Sequence, residues 1–257
     1  MKKILIIGCG AMGGAILSGC LAKGLWKKEE VFVKEHSLAA SEEKAARYGV
    51  SVSKEGGEAG EADLVIVAVK PNVVPSVLEE LSRHAPRRVL SIAAAALPKG
   101  TEVIRVMPNT PASVGEGMAA IAPGTFASEG FIAEAEDIFR ALGKEAVVTE
   151  RQLDELGALS GAGPGYAFVI IDALADAGVL IGLPRKLAIE AAAQTLYGAA
   201  KMVLETGKHP AELRDQVTSP GGTTIAGIHA MERAGIRAAL MDGVEACLAK
   251  SDKMAGK

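Results

Sequence analysis

The stretch Lys3-Ile4-Leu5-Ile6-Ile7-Gly8-Cys9-Gly10-Ala11-Met12-Gly13 decides the fold. An unbroken apolar run from Ile4 to Ile7 suits a strand covered on both faces, because a half-exposed strand would alternate with polar residues. Glycines then stop the strand, and Gly13–Lys23 takes up a helical rhythm. Strand, Gly-x-Gly-x-x-Gly turn and helix in that order predict a dinucleotide site. Gly8 permits the tight turn, Gly10 lets a pyrophosphate approach the backbone, and Gly13 lets helix and strand pack closely.

The same texture continues outward. Val31–Val33, Leu64–Val69, Arg88–Ile92 and Glu102–Val106 are short runs rich in β-branched residues, separated in places by the helical patterns Ala39–Tyr48 and Val73–Arg83. The pattern predicts an α/β domain with a mostly parallel sheet. Met118–Ile121 and Ala146–Val148, flanking the helical pattern Ser128–Ala141, extend that sheet. Past residue 150 the strand texture stops. Arg151–Leu159, Gly165–Ile181, Arg185–Thr206, Pro210–Val217, Thr223–Ala234 and Ile236–Lys250 read as helices, with Pro164, Pro184, Pro210 and Pro220 preceding or opening segments. The expected division is a nucleotide-binding domain at 1–150 and an all-helical domain at 151–257. Gly165–Ile181 is apolar on nearly all faces apart from Asp172 and Asp176, so it needs cover on every side. A small helical domain cannot enclose it, so the cover is either an oligomer in which the helical domains pack together or, on one side, the sheet domain.

Composition narrows the function. In 257 residues, 28 Lys and Arg face 31 Asp and Glu, for a formal charge of -3. No field of one sign points to nucleic acid or a membrane surface. Cys9, Cys20 and Cys247 form no CxxC pair, which fits reduced thiols in the cytoplasm. His36, His84, His209 and His229 are scattered, so no metal site is expected. The run at Ile4–Ile7 is too short for a signal peptide, and the most apolar helix carries two aspartates, so no membrane span is expected.

Further candidates lie at the ends of strands. Glu35, after the second strand, fits hydroxyls of an adenosine ribose. Lys34, His36 and Ser37 fit a 2′-phosphate instead, and both readings stand. Ala68-Val69-Lys70-Pro71 follows the fourth strand and lines the ligand crevice, with Lys70 facing either phosphates or water. In Met107-Pro108-Asn109-Thr110-Pro111, two prolines stiffen a loop that presents one amide. Asn109 orients either the nicotinamide or a nearby backbone group. No covalent nucleophile is evident, and hydride transfer requires none. Ser219-Pro220-Gly221-Gly222-Thr223-Thr224 places glycines and hydroxyls at the start of a helix. It reads either as a carboxylate receptor or as a turn before an ordinary capped helix.

GCGAMGGAI, AVKP, MPNTP and above all GAAKMVLETGKHPAELRDQVTSPGGTTIAG at Gly198–Gly227 resemble the pyrroline-5-carboxylate reductase family. The resemblance runs from Lys3 to Ser251. It implies a Rossmann-type sheet domain and an all-helical dimerisation domain, with reduction of a cyclic imine carboxylate to L-proline by NADPH or NADH. It implies cofactor contacts at Gly8, Gly10, Ala11, Met12, Gly13, Glu35, His36, Ser37, Ala68, Val69, Lys70, Pro71 and Asn109. The substrate carboxylate falls to Ser219, Gly221, Gly222, Thr223 and Thr224, with Thr224 the catalytic candidate at the ring nitrogen. A homodimer completes the site, and larger assemblies of dimers are open. Glu35-His36 replaces the family's usual Asn-Arg or Thr-Pro, Ala95 replaces a glycine, and Ala162 and Gly165 replace serine and alanine. Lys201 is the analogue of a catalytic lysine in β-hydroxy-acid dehydrogenases, although its setting suits a solvated helix face.

Overall fold

The computed structural model describes residues 2–53, 57–92, 97 and 99–255. Ala95 lies outside them. The chain forms two compact units, Met1–Gly161 and Ala162–Lys257. The first holds strands β1 (Ile4–Ile7), β2 (Val31–Lys34), β3 (Ser51–Val52), β4 (Leu64–Val67), β5 (Arg88–Ser91), β6 (Glu102–Pro108), β7 (Gly117–Pro123) and β8 (Gly143–Val147). They make one sheet in the order β3-β2-β1-β4-β5-β6-β7-β8. All neighbouring pairs are parallel except β6 and β7. The strand order reverses direction at β1 and β4, and their carboxyl ends therefore flank the switch point where such sheets bind ligands.

The unbroken apolar strands are central for a physical reason. Ile4 and Ile6 pack with Ile16 and Leu17 of α1 (Ala11–Ala22) on one face. Leu5 and Ile7 pack with Val77 and Leu81 of α3 (Val74–His84) on the other. Each such fully buried side chain is worth about 1.5–3 kcal/mol relative to exposure. Helix α2 (Leu38–Tyr48) joins the first face through Ala45, and α4 (Glu129–Arg140) through Phe131, Ala135, Ile138 and Phe139. Helix α5 (Glu150–Leu156) packs Leu153 on Ala120 and Ala122 of β7, so the sheet-bearing unit continues beyond residue 150. A π turn, Gly157–Gly161, closes that unit.

The second unit contains α6 (Gly163–Leu180), α7 (Arg185–Thr206), α8 (Pro210–Gln216), α9 (Thr223–Arg233) and α10 (Ile236–Ala255). In α6 only Ala175 is buried. Phe168 is 63% exposed and Val169 70%, so part of the apolar helix is left bare. By length and composition alone, the stretch Glu150–Leu180 could cross a membrane. Asp172 and Asp176 are both exposed within it, and Asp176 pairs with Arg185 at 2.6 Å.

Candidate functional site

The glycine turn has the geometry its sequence demands. Gly8 sits at φ +88, and its amide donates to the Lys34 carbonyl at 2.9 Å. A Cβ on Gly8 would lie 2.7 Å from Val69 Cγ1 and 2.8 Å from the Ala68 carbonyl oxygen. A Cβ on Gly13 would lie 2.0 Å from the Gly8 carbonyl oxygen. Gly10 differs, because its added Cβ would meet nothing within 4 Å. The fold therefore needs Gly8 and Gly13, while the room at Gly10 is available to a ligand. Gly10 caps α1 and provides no side-chain bond to the helix amides. These amides remain available to an anion.

Glu35 extends from the end of β2 to this loop and accepts a hydrogen bond from the Cys9 amide at 2.5 Å. The neighbouring Lys34 pairs with Glu80 on α3. Ser37 caps α2, accepting from the Ala40 amide at 3.3 Å, and His36 is exposed. Ser41 braces the turn by accepting from the Glu35 amide at 2.9 Å. Burial first, then the Glu35 carboxylate, push the Cys9 thiol up to about 11, so it remains protonated near neutrality.

A cavity of about 390 Å³ borders the loop, lined in part by Gly10, Ala11, Gly14, Lys44, Arg47 and Tyr48. Sequence reading missed the last three. Their i, i+3, i+4 spacing puts them on one face of α2, which was the available signal.

Across the switch point, Ala68 donates its amide to the Ile7 carbonyl at 2.8 Å, tying the segment after β4 to β1. Ala68 and Val69 are half-buried beside Gly8, while Lys70 is exposed. Pro71–Val73 forms a single 3-10 turn. Asn109 is engaged at both ends of its amide. Its Oδ1 accepts from the Met118 amide at 2.9 Å, and its Nδ2 donates to the Ser160 carbonyl at 3.0 Å. Both of these hydrogen bonds go to backbone groups.

The second unit contains the other candidate group. Pro220 and Gly221, at φ +66, occupy the middle of a turn closed by the Gly222 amide on the Ser219 carbonyl at 3.0 Å. Proline followed by a residue of positive φ is the type II pattern. Gly222 then caps α9 without a side-chain bond. A Cβ there would lie 2.4 Å from Ser219 Oγ and 3.1 Å from the Ser219 carbonyl oxygen, so a side chain at 222 would turn the Ser219 hydroxyl aside. Ser219, Thr223 and Thr224 are exposed around the first-turn amides. Elsewhere, Ser37, Ser128, Thr149 and His209 occupy those amides in α2, α4, α5 and α8. Helices α1 and α9 begin at glycines and, like α3, α6 and α7, carry no side-chain cap; at α1 and α9 the glycine start suits phosphate and carboxylate oxygens. Lys201, 53% exposed, pairs with Glu205 at 3.5 Å on a solvated face.

Comparison with known proteins matches residues 150–254 to the family described as pyrroline-5-carboxylate reductase dimerisation. Residues 3–97 match the family described as NADP oxidoreductase coenzyme F420-dependent. The chain is 42% identical to a pyrroline-5-carboxylate reductase of Methanosarcina acetivorans, over 100% of this chain and 99% of that protein. It is 39% identical to that of Escherichia coli, over 98% of each. Among solved structures, a pyrroline-5-carboxylate reductase from Coxiella burnetii superposes with a TM-score of 0.91 at 33% identity, covering 98% of both chains. A Plasmodium falciparum pyrroline carboxylate reductase with NADP bound superposes with a TM-score of 0.84 at 29% identity, again over 98% of both.

Proposed function

The chain belongs to the pyrroline-5-carboxylate reductase family, and from that membership we infer an oxidoreductase that reduces 1-pyrroline-5-carboxylate to L-proline with NAD(P)H, the last step of proline biosynthesis. The observation that carries the reading is the pair of glycine-capped helices with accessible amides, one for phosphate and one for carboxylate. The open space at Gly10 fits a pyrophosphate.

The bound cofactor supplies the hydride. The chain's own residues bind and orient. Amides of the Gly8–Gly13 turn hold the pyrophosphate, and Ala68, Val69, Lys70 and Pro71 line the crevice beside it. Ser219, Gly221, Gly222 and Thr223 hold the substrate carboxylate through amides and hydroxyls. Thr224 contacts the ring nitrogen. An aliphatic hydroxyl is too weak an acid to supply a proton alone, so the ring nitrogen enters protonated or takes its proton from water. Replacing Thr224 by alanine should lower kcat about tenfold to a hundredfold, as expected for one hydrogen bond to a charged group. An unchanged kcat would remove Thr224 from that role.

We further propose that NADH is preferred to NADPH. Glu35 places a carboxylate where the adenosine ribose ends, and Lys34 is already neutralised by Glu80. His36 and Ser37 then flank a ribose rather than a phosphate. The unit Met1–Gly161 serves the nucleotide, and Ala162–Lys257 serves the substrate and the dimer. A second copy is the proposed cover for α6, since two aspartates at the centre of a membrane helix would each cost about 2.5–3.5 kcal/mol. A cytoplasmic protein is part of the same proposal.

The deciding experiment follows reduced-cofactor oxidation with 1-pyrroline-5-carboxylate, using NADH and NADPH in parallel and assaying proline. Proline formation with a higher kcat/KM for NADH is expected. A ratio favouring NADPH would refute the Glu35 reading. No oxidation by folded, cofactor-bound protein would refute the reaction.

A further inference from the structure

The Ser160 carbonyl occupies an unusual place. In a regular helix it would accept from the amide four residues on. That residue is Pro164, which has no N–H. The next amide, Gly165, donates instead to the Ala162 carbonyl at 2.9 Å. The carbonyl is met from outside the helix by Asn109 Nδ2 at 3.0 Å.

We propose that Asn109 is a positioning residue that supplies the hydrogen bond Pro164 cannot give, locking the loop after β6 to the π turn through which the chain enters its helical unit. Three further contacts support the lock. The other end of the same amide is fixed by the Met118 amide at 2.9 Å. Ser160 Oγ donates to the Leu156 carbonyl at 2.9 Å, holding the π turn from its other side. The Met107 side chain lies against Gly157 and Gly161, where added Cβ atoms would meet it at 3.5 and 3.7 Å. π turns inside helices recur at functional sites, and an amide donor from the loop after β6 holds this one in place. Asn109 thus acts on the reaction through Ser160 rather than by touching the cofactor.

The inference rests on the reaction proposed above, and its test separates the two. Asn109→Asp keeps the acceptor for Met118 and removes the donor to Ser160. Its kcat/KM for the imine should fall about tenfold, while its Kd for NADH should stay within about twofold. Pro164→Ala restores an N–H at the position that Ser160 lacks. Adding it to Asn109→Asp should bring kcat/KM back to within about threefold of Pro164→Ala alone. A tenfold loss of NADH affinity with no recovery in the double variant would overturn the proposal and make Asn109 a direct cofactor ligand. Should Asn109→Asp be too unstable to assay, melting temperatures of Asn109→Ala and Asn109→Ala/Pro164→Ala decide the same point. Recovery in the double variant supports the lock, and no recovery overturns it. Wild-type protein that binds NADH but leaves the imine unreduced would refute the reaction, and the melting comparison would still decide the lock.

Discussion

An alanine at Gly13 would set its Cβ 2.0 Å from the Gly8 carbonyl oxygen and 3.2 Å from Ala68 Cβ. Ordinary heavy-atom contact is roughly 3.5 Å or more, so the carbonyl must move. The obstacle is backbone at a left-handed turn tied to β2, and it has no rotamer to change. Overpacking of this kind costs about 1–3 kcal/mol, and this case belongs at the upper end. Alanine's better helix propensity returns about 1 kcal/mol, leaving a net loss of about 2 kcal/mol. For a chain of this size that lowers Tm by about 4–8 °C. Gly10→Ala is the matched control. Its Cβ meets nothing within 4 Å and its φ of -73 suits alanine. The cost to Tm should stay below about 3 °C, while NADH affinity falls about tenfold to a hundredfold as the pyrophosphate loses amide contacts. Thermal melting and NADH fluorescence titration read both variants. A Gly13→Ala protein that melts with wild type, or a Gly10→Ala protein that binds NADH normally, would refute the division of roles between the two glycines.

Other outcomes follow from particular contacts. Burial works against the Glu102 carboxylate, but the Ser128 hydroxyl and amide and the Arg88 guanidinium outweigh it and hold its pKa below the usual value. A depressed carboxylate pKa contributes stability that is present above the unfolded value and lost as pH falls through the folded one. Glu102→Gln should therefore lower Tm at neutral pH and flatten its acid decline below about pH 4.5, and an unchanged Tm–pH curve would count against this. Burial pushes the Cys20 thiol up to about 12, and Cys9 stands at about 11, so alkylation of native protein at pH 8 should be confined to Cys247. The Cys9 thiolate would be about one part in a thousand at that pH, and its rapid labelling in folded protein would contradict the burial argument. Phe168→Asp should shift the protein from dimer to monomer in light scattering coupled to size exclusion, since Phe168 lies on the uncovered helix. A dimer that persists would move the interface away from α6.

How much was legible depended on burial. Strands β1 and β4 were evident because both faces are covered, which leaves only apolar residues at Ile4–Ile7 and Leu64–Val67. The two-residue β3, Ser51–Val52, has no such pattern because it forms the sheet edge. Strand β8 spans Gly143–Val147, with only part of it expected, because Lys144 and Glu145 follow a glycine and mimic a loop. The reversed direction of β7 is set by pairing, which side-chain periodicity does not encode. At the candidate site, glycine spacing revealed the loop because Gly8 and Gly13 each answer a steric demand of the fold, while Gly10 leaves open space. The partners of Glu35 and Asn109 were open in sequence, since the reach of one carboxylate or amide depends on backbone placed by distant residues.

The pairing of β6 with β7 bears on how the chain finds its fold. Pro108 pairs with Ala119 across a short connection, whereas Ile4 must find Leu64. Closing the longer loop costs more chain entropy, and local pairings form sooner. The antiparallel hairpin is therefore expected to form first, with the central parallel pair added later. Pulse-labelling hydrogen exchange during refolding should show Val106 and Ile121 protected before Ile6 and Ile66. The central strand ends proposed to hold the nucleotide would then be the last to be assembled, and a nascent chain would gain affinity for its cofactor only near the end of folding.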